Sequence, residues 1–171
     1  MSSTEEISAD PHLIFQSAEA FLNACRTLDA AVKQGNRFIL PLTMAVNSAL
    51  ALELYLKCLR TIEAGNFFKG HEFDEQYFDL EDSTKNEIKR RHDEIEANSS
   101  FFTNMRERGY KTDLASLLRM GRKTFVHFRY AFENNPSAQG TVWGLDDFMR
   151  IVRSIVLERH PEWTPEDYPP P

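Results

Sequence analysis

The chain of 171 residues lacks most of the features that announce a chemistry. It has two cysteines, Cys25 and Cys58, with no CxxC pair and no Cys/His cluster, which argues against a zinc finger or a disulfide framework. Each falls on the apolar side of a predicted helix and reads as a small buried hydrophobe of a reducing compartment. Net positive charge is missing too. The formal charge is −6, so no whole-molecule field draws the protein onto nucleic acid or an anionic membrane. No apolar run approaches the length of a membrane span. There is no P-loop, no GxGxxG, no HExxH and no GxSxG. The paired Glu-x-x-His of a di-iron bundle is also missing; the nearest approach, His92-Asp93-Glu94, has the wrong spacing. No metal and no cofactor are therefore expected. The opening residues, MSSTEEISADP, are polar and acidic, unlike a signal or transit peptide, so the expected location is the cytoplasm, with no membrane partner.

What is present is helical periodicity. A first helix starts near Asp10-Pro11, where Asp caps free N–H groups and Pro suits a first turn. Ile14, Ala18, Phe21, Cys25, Leu28 and Val32 form its stripe, and Gly35-Asn36 ends it. A second helix over about residues 41–63 carries Leu42, Ala45, Ala49, Leu52, Leu56 and Leu59, with Val46, Leu50 and Leu54 on another side. A helix apolar on two sides is central. Residues 67–80 read as a loop, then a short helix after His71. A polar helix over about residues 82–97, opened by a Thr84/Glu87 capping box, lies on the surface. A fourth helix runs from Thr112-Asp113 to Asn134-Asn135-Pro136 with Leu114, Leu118, Gly121, Phe125, Phe128 and Phe132 in step. A fifth, over about residues 145–159, turns Phe148, Ile151, Val152, Ile155 and Val156 inward. No alternating strand pattern and no internal repeat appears. The expectation is one all-α domain over residues 10–160. Its architecture is an antiparallel four-helix up-down bundle with an accessory fifth helix and short extra helices. Residues 1–9 and the proline-rich residues 161–171 are expected as flexible or extended tails.

In such a bundle the informative residues are the charges that border apolar stripes. Glu53 and Lys57 share a helix face among Val46, Ala49, Leu50 and Leu56. Glu53 is expected to be at least half buried and to need a partner, for which Lys57 has the spacing. On the fourth helix Arg122 and Arg129 flank the Leu118–Phe125–Phe132 stripe, with Glu133 one turn beyond Arg129. A Glu53–Arg129 pair joining the two helices is expected, either to fix register or to take part in binding or chemistry. Residues 104–130 hold seven basic residues against two acidic ones. They predict either a local basic surface or a solvated helix face.

These residues carry a family likeness. The second helix reads NSALALELYLKCL, with Glu53 and Lys57 as Glu-x3-Lys. Gly70-His71 and Phe73 follow in the loop. The fourth helix has Arg-x4-His as Arg122 and His127, overlapping FVHFRYAFE. Over residues 10–160 this order resembles a HEPN domain. The resemblance implies a homodimer that binds RNA or a nucleotide, and a metal-independent endoribonuclease of prokaryotic defence or stress response with an antitoxin-like protein partner. Arg122 would then clamp the phosphate and His127 move protons, with Glu53 and Lys57 orienting them. On a regular helix, however, Arg122 and His127 project about 140° apart, and Lys123 stands where active members often have Asn. A second frame, Arg129-Tyr130-x2-Glu133, resembles HEPN-like proteins without a catalytic histidine. It implies an inactive dimerisation or protein-binding module, with Arg129 and Glu53 as the marked pair. His71 is either a cap or core hydrogen bonder, or a pocket residue.

Overall fold

The computed structural model describes residues 7–35, 41–67, 70–122 and 145–163, and these are mostly α-helical. Helix α1 spans Pro11–Lys33. The Asp10 side chain accepts from the His12 N–H at its start, and Gly35, with φ 91°, turns the chain at its end. Helix α2 spans Pro41–Ala64 and is stopped by Gly65 at φ 76°. The two lie antiparallel. The Cys58 thiol donates to the Pro11 carbonyl, Tyr55 meets Glu19, and the Cys25 thiol donates to the Met44 carbonyl.

The buried face of α1 is Ile14, Phe15, Ala18, Glu19, Leu22 and Cys25. This departs from the expected stripe: Phe21 and Leu28 are half-buried and Val32 is exposed. The antiparallel register explains the difference. Cys25 is already level with Met44, so the last turns of α1 run past the start of α2.

Helix α2 is central, but the expected second side of Val46, Leu50 and Leu54 is only half-buried, and Ala51, Tyr55 and Cys58 are buried instead. Leu52, Tyr55, Leu56, Cys58 and Leu59 are fully buried or nearly so. It packs on α1, on α3 (Phe73–Phe78) and on the last described helix, here α7 (Leu145–Arg159). Helix α7 runs parallel to α2, since Arg153 reaches the Glu19–Tyr55 pair and Arg159 reaches Glu63. Its buried face includes Phe148, Ile151, Val152, Ile155 and Val156. Each such side chain contributes about 1.5–3 kcal/mol when taken from water.

Helix α4 (Asp82–Asn98) lies antiparallel to α7, with Thr84 beside Arg159 and Arg91 beside Ser154. Its expected capping box does not form. Thr84 is buried and donates its hydroxyl to Glu63, while Glu87 is drawn to Arg90 and Arg91. Glu63 does the capping from α2: its Oε2 accepts the Glu81 N–H at 2.8 Å, and Arg159 Nη1 binds its other oxygen at 3.0 Å.

Helix α5 (Ser100–Glu107) has no counterpart in the sequence reading. It is short and polar, with Phe102 as its one buried anchor, so no apolar period marks it. Helix α6 (Leu114–Gly121) starts on the Asp113 cap, where the sequence places a helix start.

Both expected tails are tied down where they are described. Ile7–Ser8 (β1) pairs antiparallel with Asn66–Phe67 (β2), a two-residue ladder that the sequence does not signal. Trp163 stacks on His160 at 3.9 Å between ring centres and lies near His12 and Phe15. Among the described residues no helix is long and apolar enough to cross a membrane.

Candidate functional site

A short segment between β2 and α3 brings the sequence-marked residues of three elements together. Gly70 opens it. Its carbonyl accepts from Gln76 Nε2 at 2.9 Å, and the buried Phe73 ring anchors the start of α3. His71 and Glu72 stand between these two fixed points.

His71 turns to α2. Its Nδ1 lies 3.0 Å and 3.1 Å from the two carboxylate oxygens of Glu53. Glu53 is 4% exposed, and a lone carboxylate so buried would be costly. Lys57 Nζ also donates to it, at 2.8 Å. The His71 side chain is 63% exposed, so the imidazole bridges a buried carboxylate and the surface.

Glu72 turns the other way, to α6. Arg122, at the C-terminal cap of that helix, lies 3.6 Å from Glu72, 3.3 Å from Asp74 and 2.5 Å from Glu75. Gly121 makes this seat: a methyl group there would meet Leu145 Cδ2 at 3.1 Å and Phe73 Cδ2 at 3.3 Å. Gly121, which belongs to the expected stripe of the fourth helix, thus permits close packing of α6 on α3 and α7. Arg122 therefore meets three carboxylates on α3 and its cap. Its ion pairs among the described residues go to these acids and not to Glu53. On α3, Asp74 Oδ1 and Gln76 Oε1 are buried acceptors with no donor among the described residues.

His127, Arg129 and Glu133 lie outside the described residues, and with them the Glu53–Arg129 pair. The basic character of residues 104–122 is reduced by carboxylates from elsewhere in the fold. Arg106 binds Glu96 at 3.1 Å, and Arg122 binds the acids of α3.

Two buried networks escaped the sequence reading. In one, Glu19 accepts from Tyr55 Oη at 2.5 Å and from Arg153 Nε at 2.6 Å. Burial and the adjacent Glu19 carboxylate push the Tyr55 phenol far above its ordinary range, so it remains a donor. The other is the Glu63–Thr84–Arg159 cluster that caps α4. Glu19 did carry a signal. It lies between Phe15 and Leu22 on the apolar face of α1, the same kind of misplaced carboxylate that marks Glu53.

The closest grouping of metal-ligand types among the described residues is His92, Asp93 and Glu96, whose ligand atoms lie within 4.8 Å of one another. Its carboxylates are already engaged, Asp93 by Lys89 and Glu96 by Arg106 and Thr112. His92 is fully buried with neither ring nitrogen hydrogen-bonded, and burial pushes its pKa down.

The chain matches no protein-family model, no curated protein and no solved structure. Its function is therefore argued from the site itself. A carboxylate that orients Nδ1 of an exposed imidazole, with an ammonium beside it, is an arrangement suited to proton transfer.

Proposed function

We propose that this chain is a HEPN-like helical protein, built as an antiparallel bundle and acting as a homodimer, that handles RNA or a nucleotide at Glu53, Lys57 and His71. In its most concrete form it is a metal-independent endoribonuclease of defence or stress response, held in check by an antitoxin-like protein. The observation that carries this reading is the 3.0 Å contact between the buried Glu53 carboxylate and His71 Nδ1. With Nδ1–H donated to Glu53, the ring is fixed in one tautomer, and proton transfer falls to Nε2. His71 then serves as acid and base toward a ribose 2′-OH and a leaving oxygen. Lys57 balances the Glu53 charge. Arg122 is a positioning residue in this scheme, tying the segment that carries His71 to α6. The test incubates the purified protein with a broad RNA panel in excess chelator. Cleavage that persists in chelator and is lost in both His71→Ala and Glu53→Gln supports the reading. Cleavage that needs a divalent ion, or is indifferent to His71, contradicts it.

A second reading has one observation in its favour. Arg122, the residue that the resemblance marks as a phosphate clamp, is neutralised by Glu72, Asp74 and Glu75. A module that dimerises and binds a protein partner without catalysis needs no clamp. No cleavage of any RNA, together with a stable dimer, favours that reading.

A further inference from the structure

Away from Glu53 and His71, the N-terminal half of α7 leans over α1 and α2 and leaves a half-open cleft of about 350 Å³. That is within the size range of small-ligand sites. Its floor is apolar, made by Leu22, Met44 and Met149. Its walls carry three arginines: Arg26, Arg150 and Arg153.

The arginines are unequally committed. Arg153 is held side-on by Glu19 through Nε and Nη2, which fixes the plane of the guanidinium and leaves the Nη1 donors outside that contact. Arg26 has a hydrogen bond to Asn23 and no carboxylate partner among the described residues. Among the described residues Arg150 forms one ion pair, to Asp147 at 4.0 Å, the outer limit for such a pair, and its charge also acts on Asp146.

The acids of the cleft do not cancel them. Asp29 is taken by Lys33 at 2.5 Å. Asp146 makes no hydrogen bond among the described residues; desolvation raises its pKa and the nearby Arg150 charge opposes that rise, so one exposed carboxylate faces three guanidinium groups. The Cys25 thiol donates to the Met44 carbonyl at 3.2 Å and lies 3.3 Å from Ser48 Oγ, so it belongs to the wall. Burial raises its pKa as well, which argues against a nucleophile.

We infer that this cleft is a binding site for a small organic anion, an oxyanion head on an apolar or aromatic body. The head lies among Arg26, Arg150 and the unused edge of Arg153, where guanidinium groups can grip carboxylate or phosphate oxygens in pairs. The body lies on Leu22, Met44 and Met149. Thioethers pack well against aromatic rings, which favours an aryl body. The Asp146 carboxylate, which also lines the cleft, is placed to accept from a hydroxyl of the ligand. This site shares no residue with the Glu53–His71 centre, and the inference stands independently of that reading.

The test labels the methionine methyl groups of the full chain with carbon-13. Met44 and Met149 line the cleft, while Met105 and Met120 report from elsewhere. Phenyl phosphate, benzoate, inorganic phosphate and benzyl alcohol are titrated separately. The inference expects saturable shifts at Met44 and Met149, not at Met105 or Met120, with phenyl phosphate or benzoate. Which of the two binds more tightly identifies the head group. Inorganic phosphate and benzyl alcohol each carry half of the ligand and are expected to bind at least about tenfold more weakly. Arg26→Gln and Arg150→Gln alter exposed side chains and are expected to weaken binding by about tenfold each without loss of fold. Shifts spread over all the methionines would overturn the inference. So would equal binding of inorganic phosphate and phenyl phosphate, unchanged affinity in both arginine variants, or no shift with any probe.

Discussion

Arg153 and Glu19, 134 positions apart in the chain, meet side-on, with Nε 2.6 Å from one carboxylate oxygen and Nη2 3.1 Å from the other. Tyr55 completes the group from α2, so one buried carboxylate joins three helices. Breaking such a group from one side leaves an uncompensated charge. Arg153→Met is expected to cost about 3–5 kcal/mol, and Tyr55→Phe about 1–2 kcal/mol. The double variant Glu19→Leu/Arg153→Met is expected to recover most of the loss, because it removes both charges. Urea midpoints of the wild type, these three variants and the single variant Glu19→Leu check this. Additive losses in the double variant would show that the two residues are not coupled.

The cap of α4 rests on Glu63, which reaches it from the end of α2. Glu63→Ala is expected to destabilise the protein by about 2 kcal/mol and to speed hydrogen exchange at the Glu81 amide. Glu87→Ala, at the position where the sequence places the capping-box partner, is expected to leave that amide unchanged. Hydrogen exchange followed by NMR separates the two variants.

His92 gives a pH dependence whose sign follows from its burial. Lys89, Asp93 and Glu96 face it along α4, Phe102 lies edge-on from α5, and the Asp113 charge also reaches it. Desolvation prevails over those acids and lowers its folded-state pKa. The unfolded chain therefore takes up the proton first as pH falls. Stability from this residue is complete above about pH 6.5 and declines as pH drops through the window down to the lowered folded value. His92→Leu removes two buried nitrogens without partners and is expected to flatten the decline while holding or raising stability at neutral pH. Urea midpoints at about pH 7.5 and 5.5 measure both effects. An unchanged slope in the variant would contradict this assignment.

Both thiols are expected to be inert in the folded protein. Cys58 is fully buried and its pKa is pushed up to about 12, chiefly by desolvation. Cys25 is also buried and also raised. A thiol-specific disulfide reagent at neutral pH is expected to label neither until denaturant is added, and then both. Rapid labelling of the native protein would show that the α1–α2 contact opens.

Much of this fold is legible in the sequence because long helices announce themselves. The starts at Asp10 and Asp113 and the spans of α2 and α7 follow from caps and 3.6-residue periodicity. Helix α5 was not legible, since a single buried Phe102 makes no period. The Thr84 capping box was misread because its true acceptor, Glu63, lies 21 residues away in the chain. For the site, spacing pointed to Glu53 and Lys57, and His71 entered only through the family resemblance. It could not show that His71 and Glu72, neighbours in the chain, face opposite helices, because the loop between β2 and α3 has no period to read. Arg122 illustrates the same limit. Its three partners, Glu72, Asp74 and Glu75, lie well outside helical spacing and become visible only when α6 docks on α3.

The central question is whether His71 moves protons at an RNA phosphodiester. End-group analysis of RNA treated with the protein in excess chelator measures this directly. Attack by the ribose 2′-OH under acid–base catalysis is expected to leave 2′,3′-cyclic phosphate and 5′-hydroxyl ends, and His71→Ala is expected to abolish them while Arg26→Gln does not. Intact RNA with the wild-type protein, or the same ends formed equally well by His71→Ala, would contradict the account.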